Sequence, residues 1–118
     1  MKTLVVGAAI VDIVMTILKL PGKGEDVLAR DRKLMVGGCA YNVASMMDNF
    51  KVKNDLFVPV GRGSYASLIK KALEERQKQI LIEDSSMDNG YCLCLVEDDG
   101  ERTFITYQGL EANFKKDW

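Results

Sequence analysis

Gly37-Gly38-Cys39-Ala40-Tyr41-Asn42 ends an extended segment on two glycines and opens an amphipathic helix with an amide in its first turn. The first turn of a helix carries backbone N–H groups without internal partners and a partial positive charge. Glycine lets a ligand approach the backbone closely, because no Cβ stands in the way. Asn42 adds a donor and an acceptor on one rigid amide, which suits a pair of neighbouring hydroxyls. Together these residues describe a socket for a polyhydroxylated small molecule such as a sugar. A Gly-Gly turn ahead of an ordinary helix is the plainer alternative. The helix is predicted over residues 40–50. Ala40, Val43, Ala44, Met47 and Phe50 form its apolar stripe, and Asn42, Ser45 and Asn49 fall on another face.

Upstream, the run Leu4-Val5-Val6-Gly7-Ala8-Ala9-Ile10-Val11 reads as a central parallel strand buried on both faces, spanning residues 2–11. Asp12 closes it. Ligands of open α/β sheets bind beyond the carboxyl ends of the strands, and a carboxylate there can accept hydroxyl hydrogen bonds. Its alternative role is a loop cap. Residues 13–24 hold Pro21, Gly22 and Gly24 and read as a loop, and residues 25–36 suit one or two exposed strands.

Downstream, residues 55–60 read as a second buried strand. Ser64 is placed to cap a helix over about residues 64–78, with the stripe Tyr65, Leu68, Ile69, Ala72 and Leu73. Lys70–Glu74 and Lys71–Glu75 are charge pairs on its wet side. Residues 80–82 form a short third strand. Tyr91 to Val96 and Thr103 to Tyr107 are strands joined through Asp98-Asp99-Gly100-Glu101, an Asp-Gly hairpin signal. A parallel α/β sheet with a small β lid would give this order of elements.

At 118 residues the chain is one domain at most. Its net charge of −1 advertises no surface for nucleic acid. The absence of histidine removes Ser-His-Asp and Cys-His catalysis and every histidine-based metal site. Cys39, Cys92 and Cys94 are odd in number and lack the spacing of a metal knuckle, so they read as reduced thiols of a cytoplasmic protein. Asp12 interrupts the first apolar run and no cleavage region follows, so neither secretion nor a membrane span is expected.

Gly7 with Asp12, Pro21-Gly22, Gly37-Gly38 with Asn42, Val60-Gly61 and the Asp99-Gly100-Glu101-Arg102-Thr103 hairpin occur in that order over nearly the whole chain. The series resembles the N-terminal half of the ribokinase-like (PfkB) carbohydrate kinases. The resemblance implies an N-terminal part, residues 1–118, of a three-layer α/β domain. It has a parallel central sheet and a β lid over about residues 25–36 and 90–108. The implied activity is ATP-dependent phosphorylation of a hydroxyl on a sugar or nucleoside. Substrate would meet Asp12, Gly37, Gly38 and Asn42, with Leu93, Leu95 or Phe104 of the lid excluding water. Hairpin packing is the alternative role for each lid residue. The lid also implies a homodimer. The family's Gly-Ala-Gly-Asp motif, which supplies the catalytic base and the phosphate cradle, does not occur in this sequence. The chain alone is therefore expected to be inactive, to hold no catalytic residue or metal ligand, and to bind ATP and Mg2+ only within a full-length parent. Taken as a fragment, it is also expected to aggregate or to be only partly ordered alone. Arg62 and Cys39 depart from the family pattern and count against ribose as the substrate.

Two rivals stand beside this reading. Gly61-Arg62-Gly63-Ser64-Tyr65-Ala66 fits a Gly-x-Gly-x-x-Ala dinucleotide fingerprint, and Glu83 follows 22 positions after Gly61, near the spacing of a ribose contact. A non-catalytic interaction module could instead use the hairpin edges to pair with another chain.

Overall fold

The computed structural model describes residues 2–118. Strand β1 (Thr3–Val6) pairs in parallel with β4 (Asn54–Phe57), and β5 (Pro59–Val60) pairs in parallel with β6 (Ile82–Glu83). Helices α1 (Cys39–Asn49) and α2 (Ser64–Glu75) pack on them. Ala9, Val11, Ala40, Tyr41, Ala44, Leu56, Val58, Val60, Ala66, Ile69 and Leu73 make one buried cluster.

A second sheet rises from this core. Its order is β3 (Asp31–Gly37), β2 (Ile10–Thr16), β7 (Tyr91–Val96) and β8 (Arg102–Tyr107). The β2–β3 and β7–β8 pairs are antiparallel, and β2–β7 is parallel. The β7–β8 hairpin turns at the predicted Asp-Gly, where Gly100 takes φ 86°.

The first apolar run is two strands in two sheets, not one strand over residues 2–11. It breaks at Gly7, where a Cβ would stand 2.9 Å from the Ala40 side chain, so α1 sits directly on the turn. Tyr41 N–H donates to the Ala8 carbonyl there, at 3.4 Å. The chain therefore leaves the core sheet before Ile10, and residues 13–16 continue β2 where a loop is expected. An unbroken apolar run hides such a turn, because small residues score as apolar too.

The helices differ from expectation on their faces. In α1 the buried residues are Ala40, Tyr41 and Ala44, while Val43 and Phe50 of the expected stripe are 51% and 73% exposed. Tyr41 is drawn inward by Arg76, whose Nε donates to the hydroxyl at 2.9 Å. The α2 stripe holds: Ile69 and Leu73 are buried, and Tyr65, Leu68 and Ala72 pack against the core. Ser64 is the first residue of α2 and does not cap it. Lys70 pairs with Glu83 of β6 at 2.6 Å, not with Glu74.

Candidate functional site

Asp12 is the third residue of β2, so it lies within a strand and not beyond the end of one. Across the sheet it faces Met35 of β3 and Cys92 of β7. Side chains alternate along a strand, and the register sorts the expected site residues accordingly. Asp12, Gly37, Cys92, Cys94 and Phe104 share one face. On the other face Leu93 aligns with Ile13 and Ile105, and Leu95 with Met15 and Thr103. Of the expected lid residues, only Phe104 stands on the side of Asp12, where it is 59% exposed.

Gly37 is a matter of space. A methyl group built there would overlap the Asp12 carboxylate, so the two residues occupy one another's room. Partial burial among apolar and sulfur-bearing neighbours pushes the Asp12 carboxyl pKa up. Gly38 takes φ 97°, in the left-handed region, and a Cβ there would lie 2.6 Å from the Ala8 carbonyl oxygen. Two separate constraints thus require the two glycines.

Helix α1 begins directly after Gly38 with no side-chain cap and no acidic residue in its first turn. Asn42 is exposed, and its backbone N–H donates to the Gly38 carbonyl at 2.9 Å. Gly37 carries the chain from the Asp12 face to this helix start. A half-buried acceptor is therefore joined by two glycines to a helix start that has no side-chain cap and whose Tyr41 N–H is taken by the Ala8 carbonyl.

The N-terminus of α2 is the opposite case. Tyr65 and Ala66 N–H donate to the Asp88 carboxylate at 3.2 and 2.8 Å. A methyl group on Gly63 would overlap that carboxylate, and one on Gly61 would overlap the Met87 carbonyl. The position that a dinucleotide pyrophosphate would need is filled by the chain's own anion. Glu83, the candidate ribose contact, is paired with Lys70. These contacts remove the physical basis of the dinucleotide reading. Sequence reasoning missed Asp88, and the missing signal was local: neither Gly63 nor Ser64 caps α2.

A cavity of about 320 Å³ opens elsewhere, between Leu34 and Val36 of β3, Tyr41 of α1, and Leu68 and Ala72 of α2. Leu34 and Val36 lie on the face of β3 opposite Asp12, and Met35 between them, which also lines the cavity, is the residue that pairs with Asp12. Among the described residues, no helix is long and apolar enough to cross a membrane.

Comparison with known proteins gives a consistent result. The chain matches the pfkB family of carbohydrate kinases over residues 1–118. It is 36% identical over 117 residues to an uncharacterized sugar kinase of Escherichia coli (strain K12), YegV, covering 99% of this chain and 36% of that protein. The nucleoside kinase of Methanocaldococcus jannaschii, an archaeal member of the ribokinase family, superposes with a TM-score of 0.82 at 19% identity. That match covers 99% of this chain and 40% of the kinase. Arabidopsis thaliana ribokinase, solved with ribose and ATP, gives 0.77 at 23% identity, over 91% of this chain and 36% of the enzyme. The fold is thus ribokinase-like, and the chain spans 36% of the length of the curated relative it matches.

Proposed function

Because this chain belongs to the pfkB family of carbohydrate kinases, we propose that it forms the hydroxyl-binding part of an ATP-dependent kinase acting on a sugar or nucleoside. The observation that carries the reading is the junction of Asp12, Gly37 and the start of α1, which has no side-chain cap. Asp12 accepts hydrogen bonds from substrate hydroxyls. Gly37 and Gly38 allow close approach to the backbone, and Asn42 bridges neighbouring hydroxyls. The β2, β3, β7 and β8 sheet covers the substrate, with Phe104 on the same face as Asp12. The same sheet is the surface through which two copies would pair.

Phosphoryl transfer depends on positioning and on charge neutralisation. This chain supplies the first. The start of α2 offers no room for a nucleotide phosphate, because Asp88 fills it. In this reading ATP and Mg2+ belong to the whole protein.

A thermal-shift panel of D-ribose, 2-keto-3-deoxygluconate, adenosine and pseudouridine tests the reading on the whole protein. A ligand that binds the native state raises its melting temperature. At least one of the four is expected to do so, and Asp12→Ala is expected to abolish the shift. A shift that survives Asp12→Ala, or none with any of the four, overturns the reading.

A further inference from the structure

We propose that Glu111 is a positioning residue for the Asp12 site: its carboxylate straps together both ends of the β7–β8 hairpin and fixes the tilt of the four-stranded sheet over α1. The inference rests on the reading of Asp12 as the hydroxyl-binding group.

The two ends of the β7–β8 hairpin meet at Glu111. Gly90, just before β7, donates its N–H to Glu111 Oε1 at 2.7 Å. Gly109, two residues past β8, donates to Oε2 at 2.8 Å. Both carboxylate oxygens are thus used in charge-assisted bonds, one on each leg of the hairpin. The legs touch back to back. A Cβ on Gly90 would stand 2.7 Å from the Gly109 nitrogen, and one on Gly109 would stand 2.6 Å from the Asn89 carbonyl carbon. Glycine at both positions is what allows the two legs to approach this closely.

The strap is anchored at one end and coupled to the site at the other. Leu110, beside Glu111, is 1% exposed and donates its N–H to the Asp88 carbonyl at 3.0 Å. Asn89, 2% exposed, donates to the Pro59 and Ala9 carbonyls at 2.9 and 3.4 Å and accepts from the Gly61 N–H at 2.8 Å. It therefore pins the root of β7 to both β5 and the start of β2. The Gly90 carbonyl accepts the N–H of Val11, the residue before Asp12, at 3.3 Å. A path of direct contacts runs from Glu111 through Gly90 and Val11 to Asp12. Through this path Glu111 would bear on the position of Asp12 relative to the first turn of α1.

Pulsed electron paramagnetic resonance measures this tilt without any ligand. One spin label goes on the exposed native Cys39 at the start of α1 and one on Arg102→Cys of β8. Cys92 and Cys94, at 7% and 4% exposure, stay unlabelled. The labelled protein should give one narrow distance distribution well below its melting temperature, and Glu111→Gln should broaden it. In the whole enzyme the same substitution should raise the KM of the hydroxyl substrate about tenfold and leave that of ATP unmoved. A purely stabilising residue would lower the melting temperature and change neither readout. If Glu111→Gln does not fold, Gly109→Ala should displace the mean distance through the Asn89 contact. A broad distribution in the otherwise unsubstituted protein, an unchanged width in Glu111→Gln, or an unmoved mean in Gly109→Ala overturns the proposal. Asp12→Asn separates the two readings. It tests hydroxyl binding and should leave the distance distribution as it was.

Discussion

The Asp88 carboxylate caps α2 across 22 positions of chain, accepting the Ala66 N–H at 2.8 Å. It also accepts from Tyr65 at 3.2 Å and from the Asn89 N–H at 2.8 Å. A residue from the approach to β7 thus completes a helix whose own entrance is glycine. Asp88→Ala strands three N–H groups, two of them in the first turn of α2. The expected cost is about 1–3 kcal/mol, read as a lower urea midpoint at unchanged slope. Asp88→Asn keeps one acceptor oxygen and should lose less than half as much. NAD(H) should not bind the protein, because the anion site at α2 is already occupied.

The sequence made both helices, the hairpin and the parallel pairing of the core legible, because each has a local signature: a helical stripe, an Asp-Gly turn, or an apolar run. It also pointed to Gly37, Gly38 and Asp12. What it concealed is relational. Gly7 turns the chain only because α1 packs on it, and Asp88 caps a helix far from it in sequence. Leu93 is placed by register, which flips every side chain when a pairing shifts by one. The division of the first apolar run between two sheets depends on partners that no single segment encodes.

Lys78 closes a second polar knot. Its Nζ donates to Asp48 Oδ1 and Asn54 Oδ1, each at 2.8 Å, and to the Asn54 carbonyl at 3.1 Å. The Asn54 amide in turn donates to Asp48 at 2.8 Å. The end of α1, the start of β4 and the chain after α2 are joined there. Burial alone would push the Asp48 carboxyl up. The bonds from Lys78 and Asn54, with the charges of Lys78 and Arg76, outweigh it and hold the pKa below the usual value. Lys78→Met should therefore cost about 2–3 kcal/mol, because it leaves Asp48 and Asn54 without their shared donor. A carboxyl whose pKa is lowered by folding stabilises the fold above its unfolded pKa, about 3.9. That contribution fades as the pH falls through the lower folded value. Urea unfolding of the parent and Lys78→Met proteins should differ most near neutrality and converge in acid. A constant difference down to about pH 2 would contradict the assignment.

Gln77 offers a stabilising substitution. It ends α2 in the left-handed region at φ 57°, where its N–H donates to the Glu74 carbonyl at 2.9 Å and the Lys78 N–H to Leu73 at 2.8 Å. This is the double-bonded helix end that favours glycine. Gln77→Gly removes the strain of a Cβ in that conformation and should raise stability by about 0.5–1 kcal/mol. The gain should appear in the melting temperature, with ligand response unchanged.

Asp12 and Gly37 trade stability against binding. The folded Asp12 carboxyl has a raised pKa because burial disfavours its charge. Its ionisation therefore weakens the fold, and the loss sets in as pH rises from the unfolded value, about 3.9, through the higher folded one. Asp12→Asn removes that penalty and should unfold at higher urea than the parent at neutral pH. Below about pH 3.9 the advantage should vanish, because both side chains are then uncharged. The same substitution replaces an anionic acceptor with a neutral amide and should weaken hydroxyl binding by about 10–100-fold. Gly37→Ala should lose on both counts, because its methyl group occupies the room of the Asp12 carboxylate. A Gly37→Ala protein that keeps parental stability and ligand affinity would separate Asp12 from Gly37 and from the site.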